Sequence, residues 1–129
     1  MKPRLLRQGS VSLEAALLLP ILTTLVMGVF EWGQVLNREA HLQEIATDAV
    51  MVGARASSLQ TSTASSWVSE QLQSDGFDAP HAQVQAVIQT SSAGQVLNLQ
   101  ISVPYQTLFG TVRTPVNLQA SAVMRLEHQ

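Results

Sequence analysis

Gly9-Ser10-Val11-Ser12-Leu13-Glu14-Ala15-Ala16-Leu17-Leu18-Leu19-Pro20, running on as Ile21-Leu22-Thr23-Thr24-Leu25-Val26-Met27-Gly28-Val29-Phe30, is the stretch that decides how this chain is laid out. Ala15 to Phe30 carries no charge, and Val11 to Phe30 is apolar apart from Ser12, Glu14, Thr23, Thr24 and Gly28. A helix of about 20 residues crosses the hydrocarbon core of a bilayer, so the run reads as a membrane span. The Thr23 and Thr24 hydroxyls can bond back to carbonyls of their own helix. Pro20 removes a backbone donor and puts a weak point near Leu17 to Pro20.

The flanks orient the span. Lys2, Arg4 and Arg7 precede it, whereas Glu31, Glu39, Glu44 and Asp48 follow with only Arg38 opposing them. Basic residues favour the cytoplasmic side, which places the N-terminus inside and the body outside. A conventional cleaved signal peptide needs a small-x-small site after its apolar core, and Phe30-Glu31-Trp32-Gly33 is a poor one. A signal anchor that is never processed stays open.

Glu14 is the odd residue. A carboxylate at the edge of an apolar span is costly and asks for a partner. A cut between Gly9 and Ser10 would leave an amine on Ser10 four residues before Glu14, about one helical turn away. Alternatively Glu14 snorkels to the cytoplasmic interface; position alone does not separate the two.

Gly9-Ser10-Val11-Ser12-Leu13-Glu14 ahead of an apolar helix resembles the class III, or type IV prepilin, leader motif. In that family a prepilin peptidase cuts after the Gly on the cytoplasmic side, and the Glu at the fifth mature position serves subunit assembly. The resemblance therefore implies processing at Gly9 and Ser10 and an assembly role for Glu14. Glu14 to Pro20 together with Gly28-Val29-Phe30-Glu31-Trp32-Gly33 looks like the start of the TadE/TadF family of minor pseudopilins. Val103-Pro104-Tyr105-Gln106-Thr107-Leu108-Phe109 and Leu118 to Arg125 look like its C-terminal end. Ala15 stands where many members of this pilus system carry an aromatic residue. The resemblance implies a minor pseudopilin of the Tad/Flp (tight adherence, type IVc) pilus system. It would sit in a bacterial inner membrane with its C-terminal domain periplasmic or extracytoplasmic. The implied partners are the prepilin peptidase, other pilins and pseudopilins, and Tad assembly-platform proteins. The rival is an unprocessed membrane-anchored scaffold of a secretion or adhesion system.

Working outward, the organisation expected is a leader at 1–9, a transmembrane helix at 10–33 and an extracytoplasmic α+β domain at 34–129, whose first part (34–58) continues the long helix. That helix is expected from about Ser12 to Ala56. Val35, Leu42, Ile45, Ala49, Val52, Ala56 and Leu59 recur at steps of seven, three and four, broken only by Arg38. The stripe is either a seam with other subunits or the face turned to the chain's own sheet, the second being favoured in a short domain. Ser57 to Ser66 reads as a Ser/Thr-rich loop with a helix cap. Ala64, Trp67, Val68, Gln71 and Leu72 then mark a short amphipathic helix with Trp67 as a core anchor, closed by Asp75-Gly76.

The remainder alternates with period two. Val84, Ala86 and Ile88 share one face, Leu97, Leu99, Ile101 and Val103 another, and Val116, Leu118, Ala120, Ala122, Met124 and Leu126 a third. Ser91-Ser92-Ala93-Gly94 is a hairpin turn, and Tyr105 to Thr114 a longer connection containing Gly110. Three antiparallel strands packed by one face on the two helices are predicted.

Several function classes are disfavoured. The chain has no Cys, which removes disulfides and thiolate chemistry. Taking the three basic residues of 1–9 from the net charge of −2 leaves −5, the wrong sign for phosphate binding, so no nucleic-acid partner is expected. His41, His81 and His128 are scattered, without metal-ligand spacing. No Gly-x-Ser-x-Gly elbow or phosphate-binding glycine loop occurs, and Asp75 and Asp78 around Gly76 read as a turn rather than a calcium loop. The expectation is no enzyme, no metal and no cofactor.

Overall fold

The structure, a computed structural model, describes residues 4–56, 60–92, 94–106 and 116–126. Helix α1 covers Arg4–Arg55 and α2 covers Gln60–Ser74; a 3-10 turn at Ala79–His81 precedes strands β1 (Gln83–Ser91), β2 (Gly94–Tyr105) and β3 (Val116–Leu126). The fold is α+β, with one antiparallel sheet in the order β1-β2-β3. By its internal contacts the chain divides into two compact units, Met1–Gln34 and Val35–Gln129.

In the first unit α1 begins before Ser12 and is assigned without a break through Pro20. The Thr23 and Thr24 hydroxyls donate to the carbonyls of Leu19 and Pro20, both at 2.8 Å. Each hydroxyl therefore finds its partner within its own helix, as an apolar setting demands.

The second unit holds the core. Leu97, Leu99, Ile101 and Val103 on β2 are fully or almost fully buried, and Leu118, Ala120 and Ala122 on β3 lie opposite Val103, Ile101 and Leu99. Val84, Ala86 and Ile88 complete this inner face from β1 and are half-buried, as suits an edge strand. Met124, opposite Leu97, remains 37% exposed, whereas Leu126 at the end of the same face is buried in the core. The predicted hairpin is present: Ser91 pairs with Gly94, which leaves a two-residue loop. The connection from Thr107 to Pro115, with Gly110, lies outside the described residues, as do Ser57 to Leu59.

Beneath the sheet, α1 contributes Val35, Leu42, Ile45, Ala46, Ala49 and Val50. The stripe is thus the core face, and it is wider than the heptad reading, gaining Ala46 and Val50 while Val52 is only half-buried. Gly53 is buried on α1 with α2 and β2 close beside it. A Cβ there would stand 2.8 Å from Leu97 Cδ2 and 2.9 Å from both Ala64 Cβ and the Gln60 carbonyl oxygen.

One expectation is corrected. Residues 60–66 form the first two turns of α2 rather than a loop. Ser65, Ser66 and Ser69 donate their hydroxyls to the carbonyls of Ser62, Thr63 and Ser65, so polar groups that usually compete with a helix are satisfied inside it. Ala64, Val68 and Leu72 are the buried residues of α2, and Trp67 packs half-buried at the flank. The end is as the sequence predicts. Gly76 adopts φ +71°, and the Phe77 N–H reaches the Leu72 carbonyl at 3.0 Å, the long bond of a Schellman close, with Phe77 and Leu72 both in the core.

Candidate functional site

The three residues picked out for processing and assembly, Gly9, Ser10 and Glu14, all fall on α1. The surroundings of Gly9 and of the Ser10 side chain lie outside what the structure describes. Glu14 is exposed, and it makes no hydrogen bond or ion pair among the described residues. Its helical position puts it one turn after Ser10.

Around Glu14 the helix is apolar on every side. Val11, Leu13, Leu17, Leu19, Ile21, Leu22, Leu25, Val26 and Val29 are each more than half exposed. A helix that is apolar all round and uncovered calls for lipid or for other apolar helices as its surroundings. α1 is long and apolar enough to cross a membrane, its most apolar stretch having a mean hydropathy of 2.1 with none of it buried.

In the second unit, two polar arrangements tie α1 to its neighbours, one to the end of α2 and one to β3. At the first, Arg38 Nη1 donates to the Asp75 carbonyl at 3.2 Å, and its guanidinium lies 5.2 Å from the Phe77 ring centre. His41 stacks on the same ring, 6.1 Å between centres at 19°, with Nε2 3.0 Å from Asp75 Oδ2 and Nδ1 3.4 Å from Glu44. Gln71 donates its amide to Asp75 Oδ2 at 3.0 Å. This last bond is the main reason the Asp75 carboxyl is held below the usual carboxylate value; burial opposes it, and His41 and Arg38 add to the lowering. A cation close to the last carbonyls of α2 also suits the negative end of the helix. Arg38, which looked like a fault in the α1 stripe, is the residue that reaches the α2 terminus.

At the second, Gln43 Nε2 donates to the Ser121 carbonyl at 2.7 Å, and the Ser121 N–H donates to Gln43 Oε1 at 3.3 Å. The carboxamide makes the pair of bonds that a neighbouring strand would make, and so closes the outer edge of β3 at that point. Beside it a shallow groove of about 520 Å³ runs over the outer face of the sheet, lined by Glu39, Gln85, Gln100, Ser102 and Gln119 among others. A smaller hollow of about 320 Å³ lies among Arg38, Phe77, Asp78, Pro104 and Tyr105. The groove offers amides, hydroxyls and one carboxylate, a set suited to binding neutral polar groups and lacking a nucleophile–base pair.

Neither arrangement was legible beforehand, because both join residues far apart in the chain. Only the neutral-looking Gln43 and the misplaced Arg38 could have hinted at them.

The model of the family described as TadE-like protein matches residues 9–55. It begins at Gly9 and ends where α1 ends, so it covers the apolar helix and the α1 part of the core but does not reach Val103 to Phe109 or Leu118 to Arg125. No curated protein and no solved structure matches the chain.

Proposed function

Starting from a chain whose residues 9–55 are TadE-like and whose apolar helix suits membrane anchoring, we propose that this Tad pilus-related component is a minor pseudopilin. In this reading it is anchored in the bacterial inner membrane, trimmed by a prepilin peptidase between Gly9 and Ser10, and used in pilus assembly. Its mechanism is association rather than chemistry. The span packs laterally in the bilayer, and Glu14 pairs with the Ser10 amine of its own or a neighbouring subunit, setting the register between helices. The extracytoplasmic unit presents its surface to pilins or to assembly-platform proteins.

The observation that carries this reading is Glu14 itself. It is an exposed carboxylate without a partner among the described residues, four residues after Ser10, at the head of a helix that is apolar all round. Ala15, where many members of the pilus system have an aromatic residue, favours the rival of an unprocessed scaffold.

N-terminal sequencing of the membrane-extracted protein, produced with and without its prepilin peptidase, decides between them. A terminus at Ser10 that depends on the peptidase is the expected result. Met1 retained in both samples removes the pseudopilin reading and leaves the scaffold.

A further inference from the structure

The outer face of the sheet, opposite the face that packs on the helices, has no part in the core. Its side chains stand in rows across the three strands. Gln83, Ser102 and Gln119 make one row, and Gln85, Gln100 and Ser121 the next. The groove of about 520 Å³ crosses the strands along these two rows, with Glu39 and Gln43 of α1 at its β3 side. Its volume falls within the roughly 300–1,000 Å³ of small-ligand sites.

Most of the groove's polar side chains are unspent. Gln43 is committed to the backbone of Ser121. Gln83, Gln85, Gln100, Gln119, Ser102 and Glu39 make no hydrogen bond or ion pair among the described residues. No Lys, Arg or aromatic side chain lines the groove, and its two apolar members, Ile101 and Ala120, belong to the buried core.

That set of groups selects a ligand. An anion finds no cation and one like charge. A cation finds a single exposed carboxylate, which is worth little in water. A peptide finds no hollow for its apolar side chains, and here the sheet's backbone groups are spent in its own ladder, whereas extended peptides bind to open edges. A neutral ligand crowded with hydroxyls fits. A carboxamide both donates and accepts, and so does a hydroxyl, so the two pair without burying a charge. Strands repeat every ~4.8 Å across the groove, close to the advance per ring of an extended β-linked sugar chain. Such a chain is a flat ribbon and can lie on a shallow face; a coiled α-linked chain cannot.

We infer that the amide-lined groove across the outer face of the sheet binds an uncharged, extended, β-linked oligosaccharide, with one sugar ring over each strand. Gln100 on β2 meets the central ring, Gln83 and Gln85 on β1 and Gln119 on β3 hold the rings to either side, and Glu39 accepts a hydroxyl at the β3 end. The binding is weak. Each new bond replaces one to water, and no aromatic ring stacks on a sugar face, so a dissociation constant on the order of 1 mM is expected. The inference goes beyond the assembly reading and does not rest on it, because every lining residue belongs to the second unit.

The carboxamides report the contact themselves, since each Gln side chain gives its own pair of amide signals by NMR. The sample is the full-length protein in a zwitterionic detergent without a sugar headgroup. Titration with chitotetraose or cellotetraose is expected to shift the side-chain amides of Gln83, Gln85, Gln100 and Gln119 saturably. Gln89, on the same face of β1 but beyond the groove, should stay unmoved. A β-linked tetraglucuronate, the same ribbon carrying carboxylates, should leave all of them unmoved, as should an uncharged Gly-Ser peptide of similar length. Gln100→Leu is expected to weaken binding by about fivefold or more, and Gln89→Leu to leave it unchanged. Both positions are exposed, so the thermal midpoint of each variant should stay within a few degrees of the wild type. No saturable shift with either neutral tetramer, up to about twenty times the expected dissociation constant, overturns the proposal. So does an equal response to the acidic tetramer or the peptide, a response that includes Gln89, or binding that survives Gln100→Leu undiminished in a folded protein.

Discussion

Gly53 shows how one residue can set the distance between two helices. In an exposed helix, replacing Gly by Ala stabilises by about 0.5–1 kcal/mol through backbone entropy. Here the added methyl meets Leu97, Ala64 and the Gln60 carbonyl at 2.8–2.9 Å, and a carbonyl cannot move aside without shifting the start of α2. Gly53→Ala is therefore expected to destabilise by about 1–3 kcal/mol, as overpacking does, measured as a lowered midpoint in thermal or urea unfolding of the solubilised protein. A neutral or raised midpoint would mean that the helices are not this close. The same position teaches something about reading sequence. In the one-dimensional pattern Gly53 was only a weak point in a helix. Its reason lies with Leu97, which is 44 positions away in the chain and belongs to a different element. Glu14, by contrast, stands out from sequence alone, because a charge in an apolar run needs no distant neighbour to look anomalous.

At the scale of elements, strands and their faces were legible because a two-residue alternation survives whatever packs against it, and because Ser91 to Gly94 carries turn chemistry in its own residues. The C-terminal close of α2 was legible for the same reason, since Gly76 supplies the left-handed conformation locally. The start of α2 was not. Ser and Thr favour caps and loops in general; here their hydroxyls are satisfied by bonding back within the helix, and the burial of Ala64 holds this turn against the core. The clip between α1 and the end of α2 was hidden because Arg38 and His41 meet Asp75 across separations of 37 and 34 residues. That clip has a pH signature. The native Asp75 carboxyl is held below its ordinary value of 3.8, first by the Gln71 amide and then by His41 and Arg38 against the opposing effect of burial. The folded state thus takes up the proton less readily than the unfolded one. The ionised group contributes stability above about pH 4, and that stability is lost as the pH falls through the lowered native value. Asp75→Asn should melt below the wild type at neutral pH, with the gap closing as the pH is taken below 3.8. A gap that is constant from pH 7 to the acid limit would mean that the charge of Asp75 plays no part in the clip.

For the molecule as a whole, the division at Gln34 and Val35 makes a claim about where folding free energy resides. Every member of the buried core lies between Val35 and Leu126, and the apolar side chains from Val11 to Phe30 are largely uncovered. The hydrophobic effect rewards only surface removed from water, so in solution the first unit adds little to the core and much to insolubility. Its burial has to come from a bilayer or from other helices. A chain begun at Val35 should then fold by itself: about 95 residues is enough to bury a modest core, and the helix face, α2 and all three strands are retained. It should be soluble without detergent and unfold in one cooperative transition. Truncation removes Trp32 and leaves Trp67, half-buried against the core, as the lone tryptophan. Its fluorescence can therefore follow that transition directly. Coincident midpoints by tryptophan emission and far-UV circular dichroism, with Gly53→Ala lowering both, would place the stability of the protein in the second unit. A truncated chain that keeps its helices but binds hydrophobic dye and shows no sharp transition would be a molten state. In that case residues before Val35 do more than anchor: the span would take part in specifying the domain, and mutations along its apolar surface would be read as folding mutations rather than assembly mutations.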